Sequence, residues 1–518
     1  MSLSVLIAVA ALGAGLYYLC PMKLRWVLLL AVSYAFYATC GLYALPYILT
    51  TTLSTWSGAL AIARVDARLR ARLSAQKDRL DAAEKKRLRA QAKGRQRALL
   101  LAVLLLNFGL LGVVKYSSAL LGALSLPTFS LLLPLGISFY TFQSMGYLLD
   151  VYNGKLAPER NPARFALFVS FFPQLIQGPI GRYGDLAPQL YEPHRFDLVQ
   201  LERGAMLMAW GLFKKKVIAD RALPLVETVF GDPGAHGGAV ILVAVLFYSL
   251  QQYADFSGGI DLVAGIAELF GIRLAPNFKR PYFSVSLGDF WRRWHISLGS
   301  WMRDYVFYPF ALCRPVQRAG KALKKRFGAN VSRAFPAAVG NVLVFLLVGV
   351  WHGATANYVL WGLYNGLILA MSAFLEPAYK RFADGHEALC ASRGFHVVRV
   401  LRTFLIVNIG WYFDRCARAG DALSMLGRTV FAPGLAQVRA GALLTLGLSV
   451  QDFSTLAAAT LLLFAVSLLQ ERGVHVREAI LRRPLPIRWA LLIAFALFML
   501  SAFVTGSGYD SGFLYAVF

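Results

Sequence analysis

Phe345 to Gly366, FLLVGVWHGATANYVLWGLYNG, decides how the rest of the chain is read, because it sets one histidine, His352, inside an apolar run of membrane type. An ionisable side chain at membrane depth is costly and normally faces a bundle interior or a water-filled cavity, which makes His352 a functional-site candidate. Its neighbours fit that reading. Gly349 and Gly353 allow close approach, Trp351 lies beside the imidazole, and Asn357 and Asn365 add polar groups to the run that follows. The alternative is a histidine that hydrogen-bonds a neighbouring helix and only packs.

Outward from this stretch, the whole chain has the same character. Its 518 residues are 58% hydrophobic and only 15% charged, with a mean hydropathy of +0.55, which excludes an ordinary soluble protein. The net charge of +26 would suggest nucleic acid in a soluble domain. Here the basic residues cluster between apolar segments, which is the signature of cytoplasmic loops and anionic-lipid contact, so no nucleic-acid partner is expected. Cys20, Cys40, Cys313, Cys390 and Cys416 are scattered and odd in number, supporting neither a disulfide framework nor a zinc site. The N-terminal apolar run carries no positive leader and is read as a first span.

Apolar runs lie at 2–20, 26–62, 98–124, 128–150, 164–180, 238–254, 334–351, 355–376, 397–413, 454–470 and 488–505. At about 20 residues per crossing, with 26–62 counted as two, they predict an all-α polytopic membrane protein of about eleven transmembrane helices. Breaks near Pro134, Pro173 and Pro179 predict irregular backbone lining a central cavity. The basic stretch 64–97 is expected to be a cytoplasmic helical segment, with Lys214, Lys215, Lys216 and the run 321–326 marking the same side. No internal repeat is evident, and a single membrane domain over 1–518 follows.

Ser284 to Pro309, SVSLGDFWRRWHISLGSWMRDYVFYP, has too many charges to span and too many aromatics for an ordinary loop, so it belongs at an interface or in a re-entrant position. His295 lies at its centre. Arg292, Arg293 and Arg303 can pair with Asp289 and Asp304 or receive a phosphate-bearing ligand, whose geometry the guanidinium fork matches. Upstream, YSLQQYADFSGGID (248–261) ends an apolar run with Asp255 among its polar groups. PQLIQGPIGRY (173–183) and LPLGISFYTFQSMGYLLDVYNGK (133–155) combine Pro and Gly breaks with Gln and Tyr.

These segments, in this order, resemble the bacterial branch of the membrane-bound O-acyltransferase family that serves alginate and exopolysaccharide O-acetylation. The resemblance runs from about Leu133 to Trp361, which would then be the catalytic core region, with weaker similarity before it and in the terminal GFLYAVF. It departs from close relatives where a basic segment follows LGSWMRDYVFYPFALCRP. Carried over, the family's essential membrane histidine falls on His352 in VWHG and its second histidine on His295 in RWHIS. The resemblance further implies a funnel or tunnel through a bacterial inner-membrane protein, in which acyl donor and acceptor meet near these two residues.

Acyl transfer to a hydroxyl needs a base and donors for the developing oxyanion, and no Gly-x-Ser-x-Gly elbow is present. His352 is assigned as base or transient acyl carrier, and His295 as orienting the donor or stabilising the oxyanion. Arg292, Arg293, Arg303, Asp255, Trp351 and Asn357 are the candidate substrate contacts. The donor substrate is expected to be acetyl-CoA, with no metal or other cofactor. The acceptor is expected to be an extracytoplasmic polysaccharide, or a periplasmic or extracellular acetyltransferase partner. A D-alanyl or other acyl transferase fed by a carrier protein, and a proton-coupled transporter, are the competing readings. A transporter of that kind should carry paired broken helices in two halves.

Overall fold

The computed structural model describes residues 3–127, 131–505 and 512, so all of the terminal GFLYAVF except Gly512 lies outside the described residues. Among the described residues every regular element is helical. The described residues pack as two compact units, one built from residues up to 205 with 263–275, the other from 206–262 with 276–505 and 512.

In the first unit, α1 (Leu3–Leu19), α2 (Arg25–Thr39), α3 (Leu45–Ala75) and α4 (Ala82–Ala123) precede a short-helix region. That region holds α5 (Ile137–Tyr152), α6 (Pro162–Ser170), α7 (Phe172–Gln177) and α8 (Tyr183–Tyr191), and α9 (Leu198–Leu212) follows. α2 and α3 are bent by 116° at Gly41, whose φ of 123° favours glycine. α3 and α4 form an antiparallel hairpin. Asn107 Nδ2 donates to Ser54 Oγ at 3.0 Å and Gln96 Nε2 to the Ile62 carbonyl at 3.3 Å, and a capping box of Asp81 and Glu84 starts α4 after the turn. Apart from buried Gln96, the basic stretch 64–97 is a largely exposed helical hairpin. α5 is buried on nearly every face, polar Ser138, Thr141, Gln143 and Ser144 included. It starts at Gly136, where φ is 71° and a Cβ would strike the Leu175 carbonyl.

The second unit continues with a π-helical turn (Phe213–Ala219), α10 (Asp220–Gly231), α11 (Gly238–Leu269), α12 (Leu287–Arg293) and α13 (Ile296–Met302). After α14 (Tyr308–Ala311) come α15 (Arg314–His352), broken at Gly328, and α16 (Ala356–Gly385). The chain ends with α17 (Glu387–Ala391), α18 (Arg393–Arg415), α19 (Ala419–Phe431), α20 (Leu435–Arg439), α21 (Val450–Glu471), α22 (Val476–Leu481) and α23 (Leu485–Val504). α15 and α16 are packed along glycines. A Cβ on Gly349 would run into the Tyr358 carbonyl, one on Gly362 into the Phe345 carbonyl, and one on Gly366 would lie 2.9 Å from Val342 Cα.

Two expectations change. Among the described residues six helices, α4, α11, α15, α16, α21 and α23, are by length and composition apolar enough to cross a membrane, seven if the bent pair α2/α3 counts as one span, fewer than the eleven expected. The apolar run 164–180 is cut into helices of 9 and 6 residues because Phe171 leaves helical geometry before Pro173, and α2, at 15 residues, is about 22 Å long. Lys214, Lys215 and Lys216 are not loop markers. They sit on the π-helical turn, where Lys214 bonds Asp261 at 2.7 Å and Ser257 at 2.9 Å, Lys215 pairs with Asp255 and Asp220, and Lys216 with Asp220. Their sequence neighbourhood is basic, but burial beside three aspartates makes them an internal charge cluster.

Candidate active site

The second unit holds both histidines. His352 is the last residue of α15, and the chain turns at Gly353 into α16. Gly353 has extended backbone, so its role is spatial: a Cβ there would sit 2.5 Å from the Tyr358 ring. With no side chain at 353, Tyr358 stacks on the His352 ring at 5.9 Å between centroids, and Trp361 lies 5.1 Å from it on another side. His352 is 8% exposed.

His295 stands between α12 and α13 with φ 46° and ψ 53°, a left-handed conformation rare outside glycine. Backbone held in such a region persists only where the surroundings enforce it. Here Asn277 does so. Its carbonyl accepts from Ile296 N at 3.0 Å, its side-chain oxygen accepts from Ser297 N and Ser297 Oγ at 2.9 Å each, and His295 Nδ1 lies 3.3 Å from the same oxygen. Phe256 of α11 meets the His295 ring edge-on at 4.8 Å. Burial lowers the proton affinity of His295 to a pKa of about 3, so the ring is neutral at physiological pH.

Trp351 joins the two histidines. Its ring lies 6.5 Å from His295 and 5.0 Å from His352, so both imidazoles border one indole. Trp291 extends this wall, 5.6 Å from Trp361 and 5.1 Å from Phe345, and donates from Nε1 to Asn365 at 3.2 Å. Trp294 is stacked on Phe290 on the α12 side.

The other sequence candidates divide. Asn357 donates to the carbonyls of Phe413 and Cys416 at 3.1 and 2.9 Å, fastening the start of α16 to the end of α18. Asp255 pairs with Lys215 one residue from the phenyl ring that contacts His295. Arg293 is held by Asp289 and Glu471, whereas Arg292, with 72% of its side chain exposed, and Arg303, with 57%, keep solvent access beside Asp289 and Asp304. Among the described residues no group of three or more His, Cys, Asp or Glu is placed to hold a metal. Sequence reasoning missed Asn277, Tyr358 and Trp361. Asn277 lies in the non-helical stretch after α11, where an asparagine reads as a turn residue and nothing marks its distant partner.

An all-helical membrane protein with two buried histidines against one tryptophan is the class that fold and site define. Residues 158–322 match the membrane-bound O-acyltransferase family, a segment that contains His295 and stops before His352. Over 423 residues the chain is 34% identical to the probable alginate O-acetylase AlgI of Pseudomonas syringae pv. tomato, covering 80% of this chain and 71% of that one. It is 32% identical over 373 residues to the peptidoglycan O-acetyltransferase of Helicobacter pylori, 65% of each chain. With the teichoic acid D-alanyltransferase of Bacillus subtilis the figures are 29% over 294 residues, 55% of this chain and 69% of the relative. The chain belongs to the membrane-bound O-acyltransferase family and is an O-acyltransferase.

Proposed function

We propose that the protein carries an acetyl group from cytoplasmic acetyl-CoA, through its own interior, to a hydroxyl of an alginate-like extracytoplasmic polysaccharide or of a partner that acetylates it. The observation that carries this reading is the pair of buried imidazoles that both border Trp351. Such a pair serves two reactants at one place. His352 takes the proton of the acceptor hydroxyl as the thioester carbonyl is attacked, the C–S bond breaks and CoA leaves as the thiol. His295 orients the reacting groups, and the exposed Arg292 and Arg303 receive the phosphates of the donor. A route that admits each reactant from its own side supplies proximity without moving CoA across the membrane. Support for acetyl as the group and a polysaccharide as the acceptor comes from the names of the alginate and peptidoglycan O-acetylating relatives.

The test is purified protein with acetyl-labelled acetyl-CoA and an uronic-acid oligosaccharide. Wild type is expected to transfer label, and His352→Ala to lose roughly 100-fold to 10,000-fold in rate while staying folded and membrane-inserted. Transfer by His352→Ala at the wild-type rate overturns the assignment.

A further inference from the structure

The hydrogen bonds around Asn277 fix more than a loop. A backbone N–H can only donate, so the Asn277 side-chain atom 2.9 Å from Ser297 N must be the amide oxygen. This amide orientation is not imposed by its other end, since Asn277 Nδ2 is buried and has no hydrogen-bond partner among the described residues. An unpaired buried N–H₂ costs about 1–3 kcal/mol, so the oxygen side decides the orientation. The same oxygen faces His295 Nδ1 at 3.3 Å. Two acceptors cannot share a hydrogen bond, and Nδ1 therefore carries the proton.

We propose that Asn277 is a positioning residue that holds neutral His295 in its Nδ1–H tautomer, so that Nε2 presents a lone pair and accepts a hydrogen bond from an O–H or N–H of the reacting pair. This narrows the role of His295, and rests on the acyl-transfer reading only for what the ring meets. A neutral ring protonated at Nδ1 cannot donate from Nε2, which removes His295 as a donor to the oxyanion. It leaves the ring as an acceptor that aligns the acceptor hydroxyl or an amide N–H of the thioester's pantetheine arm. The left-handed backbone at His295 fits this arrangement: Asn277 bonds the two residues that follow it, through Ile296 N and Ser297 N, and so holds the ring toward its own amide.

The charged groups on the elements packed round the ring are already committed to one another. On α11, Asp255 is paired with Lys215 and Asp261 with Lys214; on α12, Arg293 is held between Asp289 and Glu471 and Arg292 pairs with Asp289; on α15, His352 borders Trp351. Burial is what keeps His295 neutral.

Two measurements test the proposal. The first needs no activity: nitrogen NMR of imidazole-labelled protein in lipid, with the His295→Asn variant identifying the resonances that disappear. The expected result is a pyrrole-type Nδ1 and a pyridine-type Nε2; the reverse pattern overturns the proposal whatever reaction the protein catalyses. The second is the pH profile of acetyl transfer. Asn277→Asp keeps the shape and the acceptor oxygen but adds a charge that stabilises imidazolium, so His295, which in wild type leaves the acid limb of kcat/KM to His352, is expected to titrate within the assay range and to steepen that limb. If Asn277 were only a loop fastener, this variant would keep the wild-type profile, and that outcome also overturns the proposal. Asn277→Ala is expected to lower kcat at least about tenfold with little change in KM; should it fail to fold, Asn277→Asp decides. Absence of any acetyl transfer by wild type would count against the proposed function and leave the NMR result to judge the tautomer.

Discussion

Replacing Lys215 with methionine probes the charge cluster of the second unit. The ammonium is 3% exposed and lies against Asp255 and Asp220, whose side chains are 2% and 3% exposed. Removing it leaves Asp220 with Lys216 at 2.8 Å, but deprives the buried Asp255 carboxylate of this counter-ion. Breaking one side of a buried pair costs about 3–5 kcal/mol. At about 1.4 kcal/mol per factor of ten, the folded population should fall roughly a hundredfold to several thousandfold relative to unfolded. Replacing both partners, Lys215→Met with Asp255→Leu, removes the stranded charge and should recover most of that loss. The assay is titration of protein in mixed micelles with sodium dodecyl sulfate, followed by tryptophan fluorescence, for wild type, both singles and the double. A Lys215→Met midpoint equal to wild type, or a double variant no more stable than the singles, would refute the argument that Lys215 and Asp255 form a coupled buried ion pair.

Gly362→Ala should destabilise by about 1–3 kcal/mol, because its methyl must displace the Phe345 carbonyl between α15 and α16, and the shift is read in the same titration. Asn357→Ala gives up two buried hydrogen bonds to α18, a loss of about 1–3 kcal/mol, with a change in Tyr358 and Trp361 fluorescence if α16 moves. Stability should also depend on His295 in mild acid. Its folded pKa of about 3 lies below the unfolded value, so the unfolded chain binds more protons between the two and stability falls as pH drops below about 6.5, by at most about 1.4 kcal/mol per unit. His295→Gln should show a shallower decline between pH 7 and pH 5, and an equal slope would contradict it.

Both histidines stand out in the sequence because charge-bearing rings in apolar or aromatic runs are conspicuous, and because RWHIS and VWHG carry a family pattern. The helical class was legible from hydropathy. Span number was not, since an apolar run does not say whether it stays helical over a full crossing: Phe171 breaks the run 164–180, and the first half of 26–62 forms a helix of only 15 residues. Lys214, Lys215 and Lys216 misled for a related reason. Three consecutive lysines look like a loop, and only the tertiary arrangement brings Asp220, Asp255 and Asp261 to them. Asn277 was invisible because its importance lies in a bond to a ring eighteen residues away along the chain.

The hairpin of α3 and α4 offers a place where the chain can be lengthened. At 31 and 42 residues its arms run to about 46 and 63 Å, against about 30 Å of hydrocarbon, so its turn at 76–81 stands clear of lipid tails. No residue between 63 and 95 is buried, and the capping box at Asp81 restarts α4 without help from the preceding turn. A fluorescent protein spliced between Lys77 and Asp78 would therefore ride outside the membrane-embedded body without deforming it, and its brightness would report which compartment receives the tip, since such reporters mature in the cytoplasm and stay dark when exported unfolded.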